Sequence, residues 1–135
     1  MLLSTIGNYA SENGVIFCLE PNPAIYGTNF LNTTKEALQF CKRLNNNGIG
    51  VNLDFGTIIA NGESLDFSSD ELDLIKHVHI SEVFLMPIEE RQEHYLLKEV
   101  LSSTNYSGCV SVEMRNTGET NDIINAALYL LEVYS

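Results

Sequence analysis

The feature that most constrains this chain is an alternation. Four short β-rich runs are each followed by a stretch of helical spacing, and each pair is bounded by capping or turn residues. Strands separated by helices pair in parallel, because the crossover returns the chain to the same edge of the sheet. The runs are 15–20 (VIFCLE), 49–54 (IGVNLD), 78–80 (VHI) and 109–113 (CVSVE). An opening helical stretch carries Leu2, Leu3, Ile6 and Ala10 and stops at Asn13-Gly14. Thr33-x-x-Glu36 and Ser68-x-x-Glu71 have the capping-box spacing that starts a helix. The first begins a helix with Ala37, Leu38, Cys41 and Leu44 on one face; the second follows a long polar loop from the end of the second run. A third helix places Leu97, Val100 and Leu101 on its apolar face and ends near the turn 105–108. The last, over 120–134, is expected to pack through Ile123, Ile124, Ala127 and Leu131. The expected fold is α/β, one helix and then a parallel (βα)4 array, with residues 1–135 forming a single domain.

Side chains on a strand alternate between its two faces, so each run splits into two columns. One column is apolar: Phe17 and Leu19, Val51 and Leu53, Val78 and Ile80, Val110 and Val112. The other holds Cys18 and Glu20, Asn52 and Asp54, His77 and His79, and Cys109, Ser111 and Glu113. All carboxyl ends of a parallel sheet lie on one edge, so Glu20, Asp54, His79 and Glu113 are expected to meet there, although 34, 25 and 34 residues separate them in turn. Three carboxylates brought together repel unless a cation sits among them. Oxygen donors with one imidazole and no thiolate favour Mg²⁺ or Mn²⁺, with Co²⁺ or Zn²⁺ tolerated. His77, one step deeper on the same face, reads as a hydrogen-bonded residue orienting the ligands. His94, near a helix start, reads as solvated or capping. Cys18 and Cys109 read as small core residues.

Composition narrows the function. Asp+Glu number 18 against Lys+Arg 7, a formal net charge of −11, which disfavours nucleic acid as a partner. With 44% hydrophobic and 19% charged residues the chain has enough apolar surface to fold. Its three cysteines form no CxxC pair, and neither a signal peptide nor a membrane-length apolar run is present, so a cytoplasmic, reducing setting with no membrane contact is expected.

The stretches ICLEPNP, YGTNFLNTTKEAL, GIGVNLDFGT, HVHISE and VSVEMR together resemble the sugar phosphate isomerase/epimerase superfamily, the xylose isomerase-like TIM barrels. The resemblance covers essentially the whole chain and implies that the four runs correspond to barrel strands five to eight. Glu20, Asp54, His79 and Glu113 then match the family's single-metal site. It further implies an enzyme that isomerises or epimerises a sugar or sugar phosphate, moving a proton through a metal-bound enediolate. Glu20 and Glu113 would serve as base and acid from opposite faces of the substrate, with Asp54 and His79 as ligands.

Two positions depart from the family pattern. Thr57 stands where many relatives have a histidine after the strand-six aspartate, and Leu85 where several epimerases have a substrate-holding arginine. The first departure speaks against the related barrel endonucleases. The second requires another substrate grip, for which Arg115, Tyr26 and Asn29 are the candidates. A whole barrel needs eight βα units and about 250 residues. The expectation is therefore the C-terminal half of a barrel, a fragment or truncated form of a full one, closed by homodimerisation or by a partner, with a non-catalytic metal- or partner-binding half-barrel as the alternative.

Overall fold

A computed structural model of the chain describes residues 2–104 and 106–135, so Asn105 of the expected turn lies outside the described residues. The elements run α1 (Leu2–Glu12), β1 (Phe17–Leu19), α2 (Thr34–Leu44), β2 (Ile49–Asp54), α3 (Phe55–Asn61), α4 (Ser69–Leu72), β3 (Ile75–Ser81), α5 (Gln92–Ser102), β4 (Cys109–Glu113) and α6 (Thr120–Tyr134). Short 3₁₀ turns at Ala24–Tyr26 and Val83–Leu85 follow β1 and β3. The four strands form one parallel sheet in the order β1-β2-β3-β4.

Both capping boxes form. Thr33 accepts the Glu36 N–H at 3.1 Å while the Glu36 carboxylate takes the backbone N–H of Thr33 and of Asn32. Glu71 reaches back to the N–H and hydroxyl of Ser68, both at 2.9 Å. α1 lies close against the start of β2, and a side chain at Gly48 would stand 1.8 Å from the Gly7 carbonyl oxygen. Only glycine admits that approach.

The apolar column of the central strands is the heart of the core. Val51, Leu53, Val78 and Ile80 are wholly buried, packed with Ala37 and Leu38 of α2 and Leu97 of α5. Each such aliphatic side chain contributes about 1.5–3 kcal/mol of burial.

Five expectations are corrected. Cys109, read as a small core residue, is exposed at the start of the outer strand β4. The polar loop after β2 begins with a helix, α3: Asp54 caps it and Phe55 and Ile58 bury themselves, which outweighs a segment poor in helix formers. β1 is shorter than its apolar run, because Val15 and Ile16 stay exposed beside a single neighbouring strand. α6 packs through Ala126, Leu130 and Val133, one step round from the expected face, and leaves Ile123, Ile124, Leu128 and Leu131 in the open. His94 is fully buried, its ring packed at a tilt against Phe55 with centroids 4.4 Å apart, and its Nδ1 lies 2.9 Å from the Tyr129 hydroxyl.

Candidate metal centre

Three of the four strand-end groups converge. Ligand atoms of Glu20, His79 and Glu113 all lie within 4.8 Å of one another. The Nδ1 of His79 is 3.1 Å from Glu20 Oε2 and 3.2 Å from Glu113 Oε2. The sheet register explains this. Asp54 stands opposite His79, His79 opposite Ser111 and Ser81 opposite Glu113, so residues remote in sequence share one edge.

Asp54 adjoins the group but is turned to another task. Its Oδ2 accepts the Thr57 N–H at 2.7 Å and lies 2.8 Å from the Thr57 hydroxyl, while its Oδ1 accepts from the buried Ser81 hydroxyl. Asp54 is thus both the last residue of β2 and the N-cap of α3. Gly56 makes this arrangement possible: its N–H donates to Ser81 Oγ at 2.8 Å, and a side chain there would crowd that oxygen at 2.7 Å. Thr57, in the place of the histidine that the resemblance calls for, is therefore the residue that anchors Asp54.

Asn52 joins the cluster without having been singled out. Its amide donates to Glu20 Oε2 and lies 3.0 Å from His79 Nδ1, while its buried Oδ1 has no hydrogen-bond partner. The signal was the period of two, since Asn52 precedes Asp54 by two on the same face. Ser81 follows His79 by the same step. His77 sits one step deeper, its Nε2 2.9 Å from Ser111 Oγ and its ring edge-on to His79 at 4.9 Å. Burial, with the nearby His79, holds its pKa below the ordinary imidazole value.

Burial raises the Glu20 carboxyl above the usual carboxylate range, and the negative charge of Asp54 adds to the effect more than that of Glu113. Crowded anions in a partly dehydrated site resist ionisation until a positive charge joins them. Two carboxylates and one imidazole, with no thiolate among them, form a largely hard donor set, which fits a divalent cation of the Mg²⁺ or Mn²⁺ kind.

Glu20, Asp54 and Glu113 also line a cavity of about 370 Å³ whose mouth is made by Tyr26, Phe84 and Leu85. Tyr26 is thus brought to the site. Asn29 is exposed and lies outside this lining. Arg115 is exposed as well; its backbone N–H donates to Leu85 O at 2.8 Å, and its guanidinium has no hydrogen-bonding or charged partner among the described residues. A larger cleft, about 560 Å³, lies between β4 and α6, lined by Val110, Val112, Leu130, Leu131 and Tyr134 among others. It is mostly apolar, and none of the carboxylates lines it.

No helix among the described residues is long and apolar enough to cross a membrane. No curated protein matches the chain in sequence. Among solved structures it is similar to a D-psicose 3-epimerase crystallised in the presence of D-fructose, with TM-score 0.76 and 22% identity, covering 98% of this chain and 54% of that one. A D-psicose 3-epimerase with D-tagatose, from Clostridium cellulolyticum H10, gives TM-score 0.78 and 18% identity over 98% of this chain and 54% of that one. The 3-keto-D-glucoside 4-epimerase of E. coli gives 0.75 and 22%, over 96% and 51%. At such identities the likeness is one of fold. The chain spans about half the length of the structures it matches, so its four βα units correspond to half of a barrel. The family described as xylose isomerase-like TIM barrel matches residues 2–133, and the chain belongs to that family.

Proposed function

We propose that this chain carries the metal-binding and proton-transfer half of a sugar isomerase or epimerase. The observation that carries the reading is the convergence of Glu20, just past β1, with His79 of β3 and Glu113 of β4, their ligand atoms within 4.8 Å. Glu20, His79 and Glu113 would hold the cation first, with Asp54 joining them if its carboxylate leaves the cap of α3. A divalent ion, Mn²⁺ or Mg²⁺ before Co²⁺ or Zn²⁺, supplies the positive charge that makes a proton beside a carbonyl acidic.

The chain's own residues do the rest. Glu20, whose carboxyl is pushed up by burial and by the anions around it, is suited to take a proton from a carbon acid and return it. Glu113 approaches the same imidazole from the neighbouring strand and would exchange a proton from the other side. With one glutamate on each face of a sugar the outcome is epimerisation; a single shuttling carboxylate would instead isomerise. Asn52 keeps Glu20 and His79 in mutual orientation, and Thr57 and Ser81 do the same for Asp54.

We take residues 1–135 as one half-barrel unit that is competent only when the barrel is closed, by a second copy or by a partner supplying four further βα units. Supporting this, β1 and β4 each have an edge with no paired strand among the described residues, and β4 adjoins the apolar cleft and α6. Nucleic acid is not expected as a substrate, given the charge of −11 and the acidic lining of the cavity.

The test is a calorimetric titration with Mn²⁺ on the unmutated chain and on Glu113→Gln. The unmutated chain should bind one ion, and the variant should bind about a hundredfold more weakly, at least the loss that follows from removing a ligand's supporting partner. A chain that binds no Mn²⁺, or a variant that binds it unchanged, would sink the reading.

A further inference from the structure

The cavity above the carboxylates is built unlike a phosphate site. Of its eleven lining residues four are acids (Glu20, Asp54, Glu82 and Glu113) and none is lysine, arginine or histidine. The cation nearest in the hydrogen-bond network, Arg91, is already committed: its Nε and Nη2 hold the two oxygens of buried Glu82 at 2.7 Å each. Arg115 bonds to the rim through its backbone N–H and is not one of the lining residues. A phosphate monoester brings about 1.5–2 negative charges at neutral pH. In this half of the barrel it would meet carboxylates, with no side-chain donor fork among the lining residues to receive it.

The mouth has a different chemistry. Tyr26, Phe84 and Leu85 expose apolar surface there, with Phe84 57% exposed. Their placement is held by specific bonds. The Tyr26 and Phe84 rings meet edge to face with centroids 5.2 Å apart, and the Tyr26 hydroxyl accepts the Phe84 N–H at 2.8 Å. Phe84 and Leu85 both have positive φ, 58° and 52°, in the region that side-chain-bearing residues avoid. Hydrogen bonds from Leu85 N–H to Glu82 O and from Arg115 N–H to Leu85 O, each 2.8 Å, hold that conformation from both sides. Strain maintained in this way at the rim of a site is a common mark of ligand positioning. A rigid aromatic edge beside a bed of carboxylates suits a molecule with an apolar C–H face and several hydroxyls.

Resting on the function proposed above, we infer that Tyr26, Phe84 and Leu85 are specificity-determining residues that select an uncharged sugar, its C–H face against the aromatic pair, and that exclude sugar phosphates. The volume, about 370 Å³, is at the small end of the range for small-molecule sites.

The test compares D-fructose and D-fructose 6-phosphate as probes, by calorimetry and saturation-transfer NMR on the Mg²⁺-loaded protein. D-fructose should bind at least about tenfold more tightly than its phosphate. Phe84→Ala should weaken D-fructose binding about fivefold, the value of one aromatic contact, and leave Mg²⁺ binding unchanged. Leu85→Arg, which places a cation at the mouth in the same backbone conformation, should narrow or reverse the preference. Equal or tighter binding of the phosphate by the unmutated protein would overturn the inference. So would failure of both sugars to bind a chain that still takes up Mg²⁺, a result that leaves the metal reading intact. Loss of Mg²⁺ binding itself would overturn that reading, and the inference with it.

Discussion

The two central strands and the two outer strands of this sheet obey different rules. β2 is buried along its whole length and β3 along most of it, and their apolar column is closed to solvent. β1 and β4 have one neighbour each and remain partly open, with Phe17 48% exposed and Cys109 exposed. Yet the converging ligand group draws Glu20 from beyond β1 and Glu113 from β4, and only His79 from the centre. The proposed chemistry therefore depends on strands whose packing is unfinished. Burial is concentrated in the middle of the sheet, and the candidate site spans its margins.

The sharpest way to break that comparison is to cut the same kind of atom from both regions. Leu53→Ala empties a site in the fully buried centre and should cost about 3–4 kcal/mol, transfer and cavity terms together. Val112→Ala, on the partly buried β4, should cost about 1 kcal/mol, because the removed methyls were never fully out of water. Urea unfolding of the two variants measures both values. Similar losses would mean that the outer strand is packed as tightly as the inner one.

The same contrast explains what could be read in the chain. Local signals were enough wherever one element decides its own fate. Thr33 with Glu36 and Ser68 with Glu71 announce their helix starts, and the alternation along each run puts Glu20, His79 and Glu113 in one column. What escaped depended on partners far along the chain. α3 forms because Phe55 and Ile58 find the core, His94 is buried because Phe55 and Tyr129 enclose it, and α6 turns by one step to seat Leu130 in the core. Asp54 was legible as a strand-end carboxylate. Its second role as the cap of α3 was not, since the helix it caps was itself invisible to local propensity.

His94 turns that long-range burial into a pH dependence. Desolvation lowers its pKa to about 4, outweighing the opposing influence of Glu82. The folded state thus prefers the neutral ring, and the unfolded chain binds the extra proton below its own value near 6.5. Stability from this group is complete above pH 6.5 and is lost as pH falls towards 4, by at most about 3 kcal/mol. Glu20 works the other way, because its raised pKa favours the protonated folded form as pH falls. The difference between the unmutated chain and His94→Gln, which stays neutral and can still reach Tyr129, isolates the histidine. Unfolding free energies measured from pH 7 to 4.5 should fall more steeply in the unmutated protein. Parallel curves would show that the ring is protonated while folded, and that the covered side of the sheet is wetter than its packing implies.

The smallest effect asks whether the outer strands are merely exposed or also independent. Thr33 caps α2, the crossover from β1 to β2, and Thr33→Ala should cost about 1 kcal/mol. α2 contributes Ala37, Leu38 and Cys41 to the cluster that contains Val51, Leu53, Val78 and Ile80. A helix seated in that cluster cannot loosen alone, so the loss should reach the centre. Amide exchange in β1, β2 and β3 should then accelerate together, by about fivefold, the factor equivalent to 1 kcal/mol. Acceleration confined to β1 and α2 would mark the margin as a separate unfolding unit. In that case the Glu20 side of the ligand group would open without the rest of the sheet, and closing the barrel would have to order that strand as well as cover it.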